Sequence, residues 1–557
     1  MDKVLLFEKN ALRYRKLAEE CVEKEDFSRA LEFLLSAKSL SQNLDVIMDL
    51  ADLYADMNLL ELSNKYWFIY MDKAPKDKVS IAYEELAINY FYLDNFWASS
   101  YYFHQKLTVD GYINKQGLSQ EILDFFSGEE LKKSAYKIVY PFDRADFSFE
   151  KKRAKRALSV GAFEDAIKVL ESIPEPCVDE DTAGDLAVCY FMSDNLDKAE
   201  ETCRKSLVMH GENVTAYCNL STVYEMKEDY DNSNFYYQKA LLNRKGGHGE
   251  CYKIATCAIE REDHLTAKEC LEDILEERPY EHVMRFFYGL SLANIGNFER
   301  AEEELLKAYR INPDDVAIKL HLDYVALLKN GGTDELNLLP FKYVKEVPTK
   351  ISRKWVKKIK ELVKAPETLQ TALKNPQTKK IIKWGLLGND TTLMRDCVYI
   401  LSTVYNAYCR NLMLETMIDP EGGEELKRLL LYALIIKGEK SKFGVVAGSF
   451  YLKFKPKKLA CEKFNDGWLY LSSYALCVSR VIFHDVEDLD QIAKACDKVY
   501  ASLKGKITDA DVTNEELGAL MLSVSNLKRF DTDVAVMQLF TVQKEKLNLL
   551  KSLIEGE

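Results

Sequence analysis

The sequence predicts an all-α protein, a right-handed solenoid of helical hairpins followed by a mostly helical carboxy-terminal domain. Three observations lead there. A small residue recurs at Ala18, Ala51, Ala87, Ala154, Ala187, Ser221, Ala255 and Gly289, with gaps of 33, 36, 67, 33, 34, 34 and 34 residues. A fixed period of this length marks stacked helical hairpins. Around each small residue, apolar side chains fall at the i, i+3, i+4, i+7 spacing of a half-buried helix. The rhythm stops at Asn330-Gly331-Gly332, and the residues beyond it are numerous enough for a core of their own.

The clearest hairpin runs from about His282 to Pro313. Tyr288, Gly289 and Leu292 mark its first helix and Gly296-Asn297 its turn. Ala301, Leu305 and Ala308 mark the second helix, which Asn312-Pro313 ends. Helices this short must cross closely, so small residues stand where the backbones meet. The proline cannot continue a helix and sends the chain into the next hairpin.

The other units repeat the scheme in order. Ala18 and Cys21 precede Ala30, Leu34 and Ala37. Ala51 and Tyr54 precede Ser63, Trp67, Tyr70 and Pro75, and Ala87 and Tyr90 precede Ser99 and Phe103. After the long gap, Ala154 goes with Ala166, Leu170 and Ile173, and Ala187 and Tyr190 with Ala199 and Cys203. Ser221 and Tyr224 go with Tyr237 and Ala240, and Ala255 with Ala267, Leu271, Ile274 and Pro279. This order of small, aromatic, Ala and Pro positions resembles the tetratricopeptide repeat family over about 1–313. The resemblance implies an α-solenoid whose first helices line a concave, peptide-binding face. It implies no particular partner, because the family is defined by packing residues.

The domains read from the sequence are repeats over 1–107, a segment 108–146, repeats with a capping helix over 147–332, and the domain 333–557. Segment 108–146 is either a degenerate repeat or a hinge; the 67-residue gap fits two periods and favours the former. In the last domain, 352–364, 424–436, 468–503 and 515–553 carry helical periodicity. Lys442–Lys458 differs, with two glycines and alternating Phe450, Leu452 and Phe454, and reads as a β-hairpin or a Gly-interrupted helix.

Composition narrows the function. With 47% hydrophobic and 30% charged residues the chain is ordered. It shows no secretory leader and no bilayer-length apolar run, so a cytoplasmic location is expected. The thirteen cysteines form no C-x-x-C pair and several sit at core positions, so neither zinc clusters nor disulfide frameworks are expected. No phosphate loop, G-x-S-x-G or H-E-x-x-H occurs. His484 beside Asp485, Glu487 and Asp488 reads as a helix cap or a surface pair. A non-enzymatic protein without cofactor or metal is expected.

The residues flanking the small positions are the candidate peptide groove: Arg15, Glu19, Asp45, Met48, Asp52, Glu84, Ile88 and Phe91 in the early units, and Asn219, Thr222, Tyr252, Thr256, Phe286, Leu290 and Asn294 in the later ones. The early group is acidic with apolar members, which suits a peptide bearing Lys or Arg and a hydrophobic anchor. Some family members grip a C-terminal carboxylate with Lys and Asn. Asn219 stands at a comparable place, but Glu19, Asp45 and Asp52 occupy neighbouring positions and argue against that use. Eight aromatics between Tyr90 and Phe103 exceed what one inward face holds, so some should be exposed.

Net charge is −13, yet residues 342–383 hold 13 Lys/Arg against three acids, a local +10. Within it, Arg353, Lys354, Lys357, Lys358, Lys360 and Lys364 lie around Trp355, Ile359 and Leu362. The favoured reading is a helix packed by its apolar side with solvated cations opposite. The alternatives are nucleic-acid binding and docking of this run onto the acidic groove as an internal pseudo-ligand. The leading function is a scaffold that binds a protein segment. The alternative is a regulator whose basic carboxy-terminal domain binds nucleic acid.

Overall fold

A computed structural model describes residues 2–555 apart from 42, 112–146, 160, 389, 462–465, 484–488, 509 and 528–531. Most of segment 108–146 and all of the His484 cluster therefore lie outside the described residues. The described chain is helical apart from one two-stranded sheet. No described helix is long and apolar enough to cross a membrane. The chain divides into two units: 1–64 with 76–348, and 65–75 with 349–557. The first unit thus runs past the end of the repeats to Pro348, and eleven residues of the second repeat belong to the second unit.

The first unit is a run of antiparallel hairpins. Its helices are α1 (Asp2–Val22), α2 (Phe27–Leu40), α3 (Leu44–Asp56), α4 (Leu60–Lys73), α5 (Val79–Tyr92), α6 (Phe96–Val109), α7 (Ser148–Ser159), α8 (Phe163–Glu171) and α9 (Glu180–Met192). There follow α10 (Leu196–His210), α11 (Val214–Met226), α12 (Tyr230–Leu242), α13 (His248–Glu260), α14 (His264–Glu277), α15 (His282–Asn294), α16 (Phe298–Ile311) and α17 (Val316–Lys329). Helix α4 begins in the first unit, and its residues from Lys65 onward count with the second.

All eight recurrent small residues are buried on first helices. Gly289 shows why. A Cβ built there would meet Leu305 Cγ at 2.7 Å and Cδ2 at 2.9 Å, atoms on the second helix of the same hairpin. A second periodic feature sits seven residues after every small residue, in the turn between the paired helices. Glu25, Asn58, Asp94, Gly161, Asp194, Glu228, Glu262 and Gly296 all adopt a left-handed backbone, with φ between 56° and 84°. Six of these are followed at once by an Asp or Asn whose side chain accepts from the backbone amide three residues on: Asp26, Asn95, Asn195, Asp229, Asp263 and Asn297. The left-handed residue reverses the chain, and the carboxylate or amide caps the second helix.

The first two hairpins of this unit meet the last. Tyr54 Oη donates to Ile311 O at 2.9 Å in a buried setting, Arg310 pairs with Glu32 at 3.1 Å, and the Phe27 and Tyr280 rings lie 6.0 Å apart.

The second unit holds α18 (Thr349–Lys364), α19 (Leu369–Ala372), α20 (Pro376–Leu387), α21 (Thr391–Val404), α22 (Ala407–Ile418) and α23 (Glu424–Ile436). After the sheet come α24 (Asp466–Val481), α25 (Asp490–Leu503), α26 (Asn514–Val524), α27 (Asp533–Phe540) and α28 (Lys544–Glu555). Lys442–Lys458 is a hairpin: β1 (Phe443–Ala447) pairs antiparallel with β2 (Phe450–Phe454), turning at Gly448, whose φ is +56°. Residues 65–75 complete this unit. Asp72 accepts from the Gly444 amide at 2.7 Å, Phe68 stacks on Tyr451 at 6.4 Å, and Lys65 pairs with Asp419 at 3.0 Å.

Two changes test the hairpin geometry. Gly289→Val forces carbon into Leu305 and is expected to cost about 1–3 kcal/mol. Glu262→Gly relieves a left-handed backbone on an exposed residue and is expected to gain up to about 1 kcal/mol. Urea unfolding of both variants checks the opposite signs.

Candidate functional site

The residues flanking the small positions were expected to line one concave face, and the structure splits them into three groups. In the amino-terminal part, α1, α3 and α5 present an acidic surface. Arg15 reaches across to α3, pairing with Asp49 at 2.5 Å and Asp45 at 3.2 Å, so it neutralises part of this surface. Glu19 is exposed, and Asp45 and Met48 are half-buried. Beyond the reach of Arg15 lie Asp52, Asp56 and Glu85. Asp52 keeps solvent contact, yet desolvation, followed by the charges of Glu85, Asp49 and Asp56, raises its pKa to about 7. Burial also raises Asp56, and burial with Glu84 and Asp56 raises Glu85. Glu84 has a cation, Lys106, at 3.5 Å.

Glu84, Ile88 and Phe91 follow one another at i, i+4 and i+7 along α5 and are all exposed, with Ile88 at 43% and Phe91 at 45%. Carboxylates under mutual repulsion therefore stand beside uncovered apolar side chains. The expected excess of aromatics is also visible here. Tyr90 and Tyr102 stack in the core with centroids 5.7 Å apart, while Tyr92 and Trp97 are exposed.

The middle group is partly used by the fold. Asn219 is buried and donates to Gly184 O at 3.2 Å, so one of its two amide donors is spent on tying α11 to α9. At Gly184 a Cβ would meet Thr215 Cγ2 at 2.5 Å, which shows how closely those two helices approach. Thr222 donates to Glu260 at 3.1 Å. Tyr252 and Thr256 are exposed on α13.

The last group departs from expectation. Phe286 and Leu290 are fully buried in the same core cluster as Phe341, and Asn294 is half-buried against the backbone of that residue. Residues 334–347, which the repeat rhythm assigned to the next domain, form a non-helical strap within the first unit. Asp334 anchors its start, accepting from Tyr324 Oη and from the amides of Leu338 at 2.8 Å and Leu339 at 3.2 Å. Phe341 is 3% exposed, and its ring meets His321 at 5.5 Å and Tyr324 at 6.1 Å. Asn294 brackets the Phe341 backbone: its Nδ2 donates to Phe341 O at 2.9 Å and its Oδ1 accepts from Phe341 N at 2.6 Å. Tyr343 packs on Phe287 at 6.2 Å, its hydroxyl lies 3.0 Å from His264 Nδ1, and Lys345 pairs with Asp315 at 3.3 Å.

The strap left a faint trace in the sequence. In Leu336–Val344 the apolar and aromatic residues follow no helical period, and Pro340 interrupts them.

The basic run forms α18. Trp355, Ile359 and Leu362 are buried, Trp355 lying edge-on to Trp384 at 5.1 Å, while Arg353, Lys354, Lys357, Lys358, Lys360 and Lys364 are all exposed. Among the described residues no His, Cys, Asp and Glu side chains gather as a metal site.

Residues 214–244 and 284–315 match the family model of the tetratricopeptide repeat. No sequence among curated proteins matches the chain. Several solved structures are similar to it. One is YrrB, a repeat protein with an unusual peptide-binding site, at 22% identity over 33% of this chain and 90% of that one, with a TM-score of 0.24. Another is the TPR2AB domain of yeast Sti1 in complex with an Hsp90 peptide, at 15% over 47% and 96%, with a TM-score of 0.20. Yeast Tom70 is similar at 12% over 90% and 98%, with a TM-score of 0.28.

The acidic surface has a measurable signature. A carboxyl whose folded pKa is raised holds more protons in the native state, so the stability it contributes is present at low pH and lost as pH rises from about 4 through 7. Asp52→Asn should therefore raise the melting temperature relative to wild type more at pH 8 than at pH 4.5. An equal difference at both values would show that Asp52 titrates as an ordinary surface carboxylate.

Proposed function

We propose that this chain, a tetratricopeptide-repeat protein, is a non-enzymatic scaffold that binds an extended protein segment on the surface formed by α1, α3 and α5. The observation that carries this reading is the set of carboxylates around Asp52, held near one another without a full complement of cations among the described residues, beside exposed Ile88 and Phe91. Such a surface is costly alone and is relieved by an incoming cation. The partner segment carries one or more Lys or Arg and an apolar side chain a short distance away. The cations satisfy Asp52, Asp56 and Glu85, and the apolar residue covers Ile88 and Phe91. A cytoplasmic setting is proposed with it.

Selection of random twelve-residue peptides on the full chain tests this. Recovered peptides are expected to be enriched in Lys and Arg with a neighbouring Leu, Ile, Phe or Trp. They should bind roughly tenfold more weakly to Asp52→Lys/Glu85→Lys, about 1.4 kcal/mol. Binding should also strengthen between pH 6 and pH 8, as Asp52 ionises. Peptides that bind the charge-reversed chain equally well would overturn the assignment.

A further inference from the structure

The strap is held as a bound peptide is held. Its contacts with the repeats include a backbone bracket from one side chain, two aromatic side chains set two residues apart, and a cation on a carboxylate, beside the Tyr324–Asp334 bond and the packing of Leu338 and Leu339. The bracket at residue 341 takes no account of the side chain there, since Asn294 holds its N–H and C=O, while the same amide also lies against His264 and the Tyr343 hydroxyl. The flanking contacts supply selectivity. Phe341 enters an apolar site beside His321 and Tyr324, Tyr343 reaches Phe287 and His264, and Lys345 reaches Asp315. Division of labour of this kind, main chain for affinity and alternate side chains for selectivity, is how grooves recognise extended segments.

The strap is also poorly suited to be permanent core. It has no helix or strand of its own between Gly332 and Thr349, so few of its backbone groups are tied into regular structure. Removing it would not interrupt any hairpin of the repeat array, because α17 ends at Lys329, ahead of it.

We infer that the face of α15 and α17 is a second peptide site, selective for aromatic-x-aromatic-x-basic segments, and that residues 338–345 are its built-in competitor. The occupant it is meant for is such a segment in a partner protein. This site uses residues separate from Asp52, Ile88 and Phe91 and does not depend on the amino-terminal surface. A tethered competitor acts at an effective concentration in the millimolar range. If the strap segment itself has an intrinsic Kd near 10 μM for the site, a partner segment faces a penalty of roughly 100-fold, whatever its own affinity.

The probe is a fluorescent peptide with the sequence of residues 336–345, LNLLPFKYVK, titrated against the full chain. Phe341→Ala/Tyr343→Ala is expected to bind it at least tenfold more tightly than wild type, and adding Asn294→Ala should remove that gain. Asp52→Lys should leave it unchanged, which separates this site from the amino-terminal one. In wild type, saturating probe should speed hydrogen exchange at the Phe341 amide. That measurement also decides the matter should the double variant fail to fold. The inference is overturned if the folded double variant gains no affinity, if the gain survives Asn294→Ala, or if millimolar probe leaves Phe341 exchange unchanged. It is also overturned if ultracentrifugation shows concentration-dependent dimers that vanish in the double variant, since the site would then serve a second copy.

Discussion

The architecture of the first unit depends on one contact, the close crossing of the two helices in each hairpin. At Gly289 the facing Leu305 leaves no room for a methyl group, and the corresponding Ala and Ser residues are buried to the same degree. The left-handed residue seven positions later belongs to the same constraint. It fixes how far the first helix runs before the chain turns, and so which residue of the second helix arrives at the crossing. Spacing and turn are a single device. This explains why the turn accepts Glu25, Glu228 and Glu262 at some backbone cost while the crossing accepts only small side chains.

That constraint was legible because it repeats. The period located the hairpins, the buried residues and the end of the array. The hairpin at Lys442–Lys458 was legible as one of two options, and its decision rests on packing: a Cβ at Gly444 would lie 2.5 Å from Tyr451 Cε2, so only glycine fits beside that ring in a strand. Gly296 reads as a turn from the sequence, whereas Glu25, Asp94, Asp194, Glu228 and Glu262 do not, because nothing about Glu or Asp announces a positive φ. Their position relative to the small residue was the available signal.

The candidate site was legible in part. Ile88, Phe91 and Glu84 are exposed, as helical phase alone places them. Position within the repeat misjudged Phe286, Leu290 and Asn294 for an instructive reason. Helical phase says which residues a solenoid turns toward its concave side, but not whether another piece of chain lies there. Asn219 failed differently, because its amide is used by a neighbouring helix only 35 residues away. The apolar character of Phe286 and Leu290 was itself the overlooked sign that something covers them.

The membership of residues 65–75 in the second unit has a consequence for how the protein is made. Asp72 and the Gly444 amide that it holds are 372 residues apart in sequence. At about 5–20 residues per second, a ribosome needs roughly 20–70 s to make the chain between them. Throughout that interval the repeat array is emerging and folding, while Phe68 waits for Tyr451 and Lys65 for Asp419. The second unit is therefore not a module appended to a finished solenoid. It closes only after the strands around Gly444 have been made, around a piece of helix synthesised 372 residues earlier.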